Sequence, residues 1–159
     1  MYLVISMRAA IIYESLHHGN TLKVAEAMAE AIGADLVRLR DRRKADLLDY
    51  DLVGFGSGIY GSKHHRDLLA FAARARFRDG ARVFLFSTAG LPFLSGVWHR
   101  ALRAELGTKS VQIAGELCLP GYDTYAIFGL LGGINRGRPG DRDLERAVEF
   151  ARSMAGLRA

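Results

Sequence analysis

Three short stretches gather hydroxyl, amide, imidazole and glycine groups: Ser15-Leu16-His17-His18-Gly19-Asn20-Thr21, Ser57-Gly58-Ile59-Tyr60-Gly61 and Ser87-Thr88-Ala89-Gly90. In the first, Ser15 and Thr21 offer hydroxyl donors, Asn20 an amide donor, and Gly19 lets the backbone approach closely, while His17 and His18 add donors or partial positive charge. Followed by a helix, such a loop suits a phosphate, because helix-end amides point at the anion. The plainer reading is a helix cap at Asn20 or Thr21 with an entry turn at Gly19. Neither GxGxxG nor GxxxxGK[ST] occurs, so dinucleotide and nucleoside-triphosphate chemistry lack their usual signatures. In the second stretch Gly58 and Gly61 would bring backbone up to a planar ring, with Tyr60 beside it; a simple glycine turn uses the same residues. The third supplies small polar groups that would serve either the ring or an ordinary turn.

The remaining reactive side chains carry less. His64-His65 and His17-His18 are adjacent pairs whose members point apart, with no spacing that adds a third ligand, so no metal site is expected. His99, next to Trp98, reads as a surface or partly buried helix histidine. A proton relay from His17, His64 or His65 stays open. The lone Cys118 excludes an intrachain disulfide and reads as a packed thiol in a reducing compartment. No residue is assigned a catalytic role.

These stretches need a frame that brings them together. Arg8–Tyr13 reads as a strand covered on both faces, and LKVAEAMAEAI places Leu22, Ala25, Met28, Ala29 and Ile32 on one side of a helix that Gly33 stops. Further strands are expected at about Asp35–Leu39, Leu52–Gly56, Arg82–Phe86 and Lys109–Gly115. Helices follow in RDLLAFAARARF, in Val97–Leu106 and in DRDLERAVEFARSMAGL. Alternating strands and helices close by right-handed crossovers into a three-layer doubly wound α/β fold on a five-stranded parallel sheet. Ligands of such folds sit beyond the carboxyl ends of the strands, where all three stretches fall. The glycine-rich segment Glu116–Gly140 is too long for an ordinary connection and would cover the site, shape a pocket around Tyr122, Tyr125 and Phe128, mediate dimerisation or complete the core.

From Arg8 to about Gly115 the chain closely resembles flavodoxin-like proteins. SLHHGNT is similar to their phosphate loop, GSGIYGSKHH to the second flavin loop and STAGL to the third. The resemblance implies flavin mononucleotide (FMN) as cofactor. It assigns Ser15, His17, Gly19, Asn20 and Thr21 to the phosphate; Ser57, Gly58, Ile59, Tyr60 and Gly61 to the flavin and ribityl chain; and Ser87, Thr88, Ala89 and Gly90 to the other side of the ring. His17-His18 stands where the family usually has threonine or serine. The function implied is electron transfer between redox partners. IYGSKHH also has a loose likeness to menaquinone-dependent protoporphyrinogen oxidase, which implies direct action on a quinone or porphyrinogen as an alternative; an interaction protein that has lost flavin binding is a third.

The whole chain of 159 residues accommodates one such domain, residues 8–159, preceded by an extension or strand start at 1–7. A net charge of +5 departs from the acidic character of many electron-shuttling flavodoxins. Residues 36–46 carry five Arg or Lys against two Asp, and residues 62–82 six against two, which favours an anionic partner if these are more than solvated faces. No zinc-finger spacing or aromatic-basic interleaving points to nucleic acid. No secretory leader or membrane-length apolar run is visible, so a soluble cytoplasmic protein, with homo-oligomers permitted, is the expectation.

Overall fold

The computed structural model describes residues 6–16, 18–41, 46–124 and 127–157; the expectations for residues 1–5, His17, the basic residues 42–44 and Tyr125 lie outside the described residues. The chain runs β1 (Ala9–Glu14), α1 (Asn20–Ile32), β2 (Asp35–Arg38), β3 (Leu52–Tyr60), α2 (Arg66–Arg74), β4 (Arg82–Ala89), α3 (Arg100–Gly107), β5 (Gln112–Pro120) and α4 (Asp141–Met154), with shorter pieces between. The five strands are parallel in the order β2-β1-β3-β4-β5, the doubly wound arrangement expected. Strand order reverses at β1 and β3, which opens a crevice at their carboxyl ends.

Alternation along the strands builds two cores. Ile11, Tyr13, Phe84 and Phe86 point to one face and pack with α1 and α4; Ile12, Val53, Phe55, Val83 and Leu85 point to the other and pack with α2 and α3. Gly54 and Gly56 are strand residues with a specific task. A β-carbon on them would lie 2.4 Å from the Phe84 ring and 2.1 Å from the Phe86 ring, so the absence of side chains lets both phenyl groups lie across β3.

Five elements differ from the expectation for physical reasons. β3, β4 and β5 run on to Tyr60, Ala89 and Pro120, because ladder pairing continues through Ser57, Ser87 and Cys118 and then Gly58, Thr88 and Leu119. Gly58 and the serines have low intrinsic strand preference, and pairing with the neighbouring strands overrides it. The Val97–Leu106 helix is two pieces, Ser95–Trp98 and α3, meeting at His99. α2 ends at Arg74 because Arg76–Phe77 pairs with Asp46–Leu47 in a separate two-stranded parallel sheet. A bulge also interrupts β5: Val83 pairs Ile113 but Phe84 pairs Gly115, leaving Ala114 as an extra residue. Among the described residues no helix is long and apolar enough to cross a membrane.

Candidate functional site

The first loop leaves β1 and turns through His18 and Gly19, both with positive φ, 59° and 64°. This left-handed pair delivers the chain into α1, whose first intrahelical bond is Lys23 N–H to Gly19 C=O. The amides of Asn20, Thr21 and Leu22 therefore have no acceptor within the helix and are available to an anion. Ser15 is buried with its Oγ unpartnered, at the edge of the same space. The side chains of Asn20 and Thr21 are already engaged: Asn20 Nδ2 donates to the Tyr122 carbonyl at 2.9 Å, and Thr21 Oγ1 lies 2.9 Å from Thr88 Oγ1. They brace the first loop against β4 and against the segment after β5, so the amides and the Ser15 hydroxyl are the donors left for a phosphate.

The second loop folds back at Gly61 and Ser62, both with positive φ, and Lys63–His64 returns antiparallel to Ile59–Tyr60. Gly58 leaves room for the Tyr60 hydroxyl, which would lie 3.0 Å from a β-carbon there. Burial raises the Tyr60 phenol above its ordinary pKa, partly offset by a hydrogen bond with the Leu16 backbone. Tyr60 thus reaches from the second loop to the first.

The segment after β5 forms a further wall. Asn135 Nδ2 donates to Gly90 O at 2.8 Å, Asp123 and Ile134 pair through their backbones, and the Tyr122 ring packs 4.5 Å from the His18 imidazole. His18 Nε2 lies 3.1 Å from Thr124 Oγ1. The result is a cavity of about 530 Å³, within the range of small-molecule and cofactor sites, lined by residues of all three loops and of this wall.

Of the residues singled out from sequence, Ser15, Asn20, Thr21, Gly58, Ile59, Tyr60, Gly61, Thr88, Ala89 and Gly90 line this cavity, and Gly19 shapes its entry turn. Ser57 and Ser87 do not line it. They point to the α2 and α3 face, in a cross-strand row with Glu14 and Cys118. His18, Gly121, Tyr122, Asp123 and Thr124 also line the cavity. The sequence pointed at Tyr122 through its aromatic, glycine-rich setting; Gly121, Asp123 and Thr124 carried no signal, because only the folding-back of residues 121–135 brings them to the site. Phe128 does not line it.

The cross-strand row is polar and fully partnered from above. Glu14, 1% exposed, lies 3.4 Å from Arg38 and 3.6 Å from Arg40, and its Oε1 accepts the Ser15 N–H at 3.1 Å. Ser57 Oγ accepts the His65 N–H at 2.9 Å, which ties the exit of β3 to the start of α2. Ser87 Oγ sits 2.6 Å from His99 Nε2, His99 Nδ1 sits 3.1 Å from Glu116 Oε2, and Arg103 holds that carboxylate with two bonds of 2.6 and 2.7 Å. The bulge at Ala114 is what turns Glu116 to this face. Burial raises the Glu116 carboxyl, but the Arg103 and His99 hydrogen bonds outweigh it and hold the group below its ordinary value. Burial lowers His99, opposed in part by Glu116. His64, whose ring centroid lies 4.9 Å from that of His99, is lowered to about 3 by burial and by its histidine neighbour. Burial also raises the Cys118 thiol, against a weaker opposing hydrogen bond from Ser87. Among the described residues no cluster of three metal-ligating side chains occurs.

A parallel sheet in this strand order, with a helix amino end and glycine-bearing loops around a crevice at its carboxyl edge, defines a flavodoxin-like α/β protein. The chain belongs to the flavodoxin domain family, whose model matches residues 10–124. It is 44% identical over 149 residues to an uncharacterized protein of Methanocaldococcus jannaschii, covering 93% of this chain and 98% of that one. Its fold is similar to that of oxidised flavodoxin 1 of Bacillus cereus, with a TM-score of 0.68 and 16% identity over 96% of this chain and 99% of that one. It is also similar to part of rubredoxin:oxygen oxidoreductase of Desulfovibrio gigas, with a TM-score of 0.65 and 14% identity over 94% of this chain and 35% of that one.

Proposed function

We propose that this protein binds FMN in the cavity at the carboxyl edge of the sheet and passes electrons between redox partners. The observation that carries the reading is the junction of β1 and α1, where the helix-end residues Asn20 and Thr21, whose amides lack an acceptor within the helix, and the buried Ser15 with its unpartnered hydroxyl line one cavity. A phosphate satisfies donors that would otherwise stay open. Gly19, Asn20 and Thr21 shape that cradle; Gly58, Ile59, Tyr60 and Gly61 flank the ring on one side, and Thr88, Ala89 and Gly90 on the other. Tyr122 and His18 close the wall added by residues 121–124. FMN, when bound, supplies the redox chemistry, and the chain supplies position, exposure and charge around it.

The segments that carry the cavity walls also carry exposed groups suited to a partner. Phe93, Leu130 and Leu131, 77%, 87% and 75% exposed, lie on the segments that leave β4 and β5, and Lys63 and Arg136 are exposed on the second loop and on the segment after β5. Exposed apolar groups together with the chain's cationic excess favour an anionic redox protein. The same exposed groups support a second reading, direct oxidation or reduction of a quinone or porphyrinogen-like substrate. A steady-state screen of protein acceptors against quinones and porphyrinogens separates the two; turnover of a small substrate without a protein carrier overturns the carrier reading.

Extraction of the purified protein, mass identification of any released flavin and measurement of its stoichiometry test the common basis. About one FMN per chain, bound or reconstituted, is expected. Failure of both would leave a flavodoxin-like interaction protein. Replacing Asn20 and Thr21 together should weaken FMN binding while the fold persists, because the first loop loses its braces to Tyr122 and Thr88; unchanged affinity would remove the phosphate-loop assignment.

A further inference from the structure

The chain Arg103–Glu116–His99–Ser87 has no part in lining the cavity, yet it ends one residue from its wall. His99 and Ser87 are buried, and the bond between them is short, 2.6 Å. Its polarity follows from the partners. The Glu116 carboxylate is acceptor-only, so His99 Nδ1 carries the proton and donates to it; a neutral imidazole then has a bare Nε2, which accepts the Ser87 hydroxyl. Burial, which keeps His99 neutral, and the two Arg103 bonds, which keep Glu116 charged, favour this one arrangement. Carboxylate partners of this kind set the tautomer and orientation of an imidazole.

The Ser87 hydroxyl in turn sits where two segments diverge. Its backbone is still in the ladder, paired with Ser57 and Cys118, while Thr88, Ala89 and Gly90 form the cavity wall. His99 lies at the junction between Ser95–Trp98 and α3, and the preceding turn is fastened by Trp98 Nε1 to Leu91 O at 2.8 Å. The segment between Ser87 and His99, which contains the third loop, is therefore closed on itself by the Ser87–His99 bond. We propose that His99 is a positioning residue for the cavity: anchored on Glu116, it holds the Ser87 hydroxyl and so sets the path of the third loop, Thr88–Gly90, against the ligand. For its ligand this rests on the FMN reading, but the loop geometry it asserts does not.

The test compares Ser87→Ala, His99→Gln and His99→Leu, each checked for folding by circular dichroism. Glutamine retains an acceptor and a donor in one planar group, whereas leucine retains neither. In ligand-free protein the amide resonances of Ala89 and Gly90 should shift in Ser87→Ala and His99→Leu and stay near wild type in His99→Gln. By fluorescence titration at about pH 8, where the imidazole is neutral, Ser87→Ala and His99→Leu should weaken FMN roughly five- to tenfold. His99→Gln should stay within about twofold of wild type. Unmoved Ala89 and Gly90 amides in a folded Ser87→Ala overturn the proposal, as does FMN affinity equal to wild type in that variant. If wild type binds no FMN, the flavin reading falls, and the amide shifts still decide whether His99 sets the loop.

Discussion

The two faces of the sheet meet the carboxyl edge in different ways. On the α1 and α4 face the strands stay apolar up to Phe86 and Leu119, and the last contact below the cavity is the Thr21–Thr88 hydroxyl pair. On the α2 and α3 face the apolar rows of Phe55 and Leu85 give way to Glu14, Ser57, Ser87 and Cys118, joined to arginine, backbone and histidine partners. One face ends in small side chains that leave room; the other ends in a polar clamp. The difference shows how neighbouring residues of one strand divide the work of making a cavity and of holding its rim.

Residues 56–58 put this division into three consecutive positions. Gly56→Ala should have the largest effect, a loss of about 3 kcal/mol, because its β-carbon would collide with the buried Phe86 ring on the apolar face. Urea denaturation measures it, and a loss below about 1 kcal/mol would mean that this face is not close-packed.

Acid should act on the clamped face instead. His64 and His99 are depressed in the folded state, so their stabilisation is complete above the unfolded value near pH 6.5 and is lost as pH falls toward the folded values, about 3 for His64. His64 alone gives a slope approaching roughly 1.4 kcal/mol per pH unit, or about 2 kcal/mol between pH 7 and pH 5. His99 adds in the same direction. Glu116 and Asp143, depressed carboxyls, add their loss only at lower pH, below about 4. Denaturation midpoints at the two pH values check the slope, and hydrogen exchange should accelerate in α3 before α1. Equal acceleration in both helices would erase the distinction between the faces.

Ser57→Ala should cost about 1 kcal/mol, the bond to the start of α2, and leave FMN affinity unaltered. Gly58→Ala should do the reverse. Its β-carbon pushes on the Tyr60 hydroxyl at the cavity, so affinity should fall a few-fold while stability changes by less than about 0.5 kcal/mol. Calorimetric titration beside denaturation separates these two variants, and identical behaviour would show that strand alternation does not carry to the carboxyl edge.

That alternation also explains what could be read in advance. The five strands and the three layers were legible because buried parallel strands and amphipathic helices announce themselves by run and period. The three loops were legible by composition. The separation of Ser57 and Ser87 from Gly58 and Thr88 was not, because the apolar runs end at Gly56 and Phe86, and a residue in a loop has no assigned face. Once pairing extends three or four residues further, period two alone sends Ser57 and Ser87 to the clamp. His99 escaped for another reason: its partners Ser87 and Glu116 are 12 and 17 residues away, and no local pattern marks a histidine that completes a buried chain. The wall at 121–124 depends on tertiary folding of a segment with no period at all.

The extra residue in β5 reaches beyond local irregularity. Before Ala114 the odd-numbered residues of β5 face α3, and after it the even-numbered ones do, so the lower and upper halves of β5 are separately addressable. The lower half can keep its apolar lettering against α3 while the upper half is written for Glu116 on one side and Leu117 and Leu119 on the other. A ladder in which Ala114 took its place opposite Phe84 would keep the composition and the strand order, yet it would move Glu116 to the level of Phe86, away from His99, and bury the charge beneath α4.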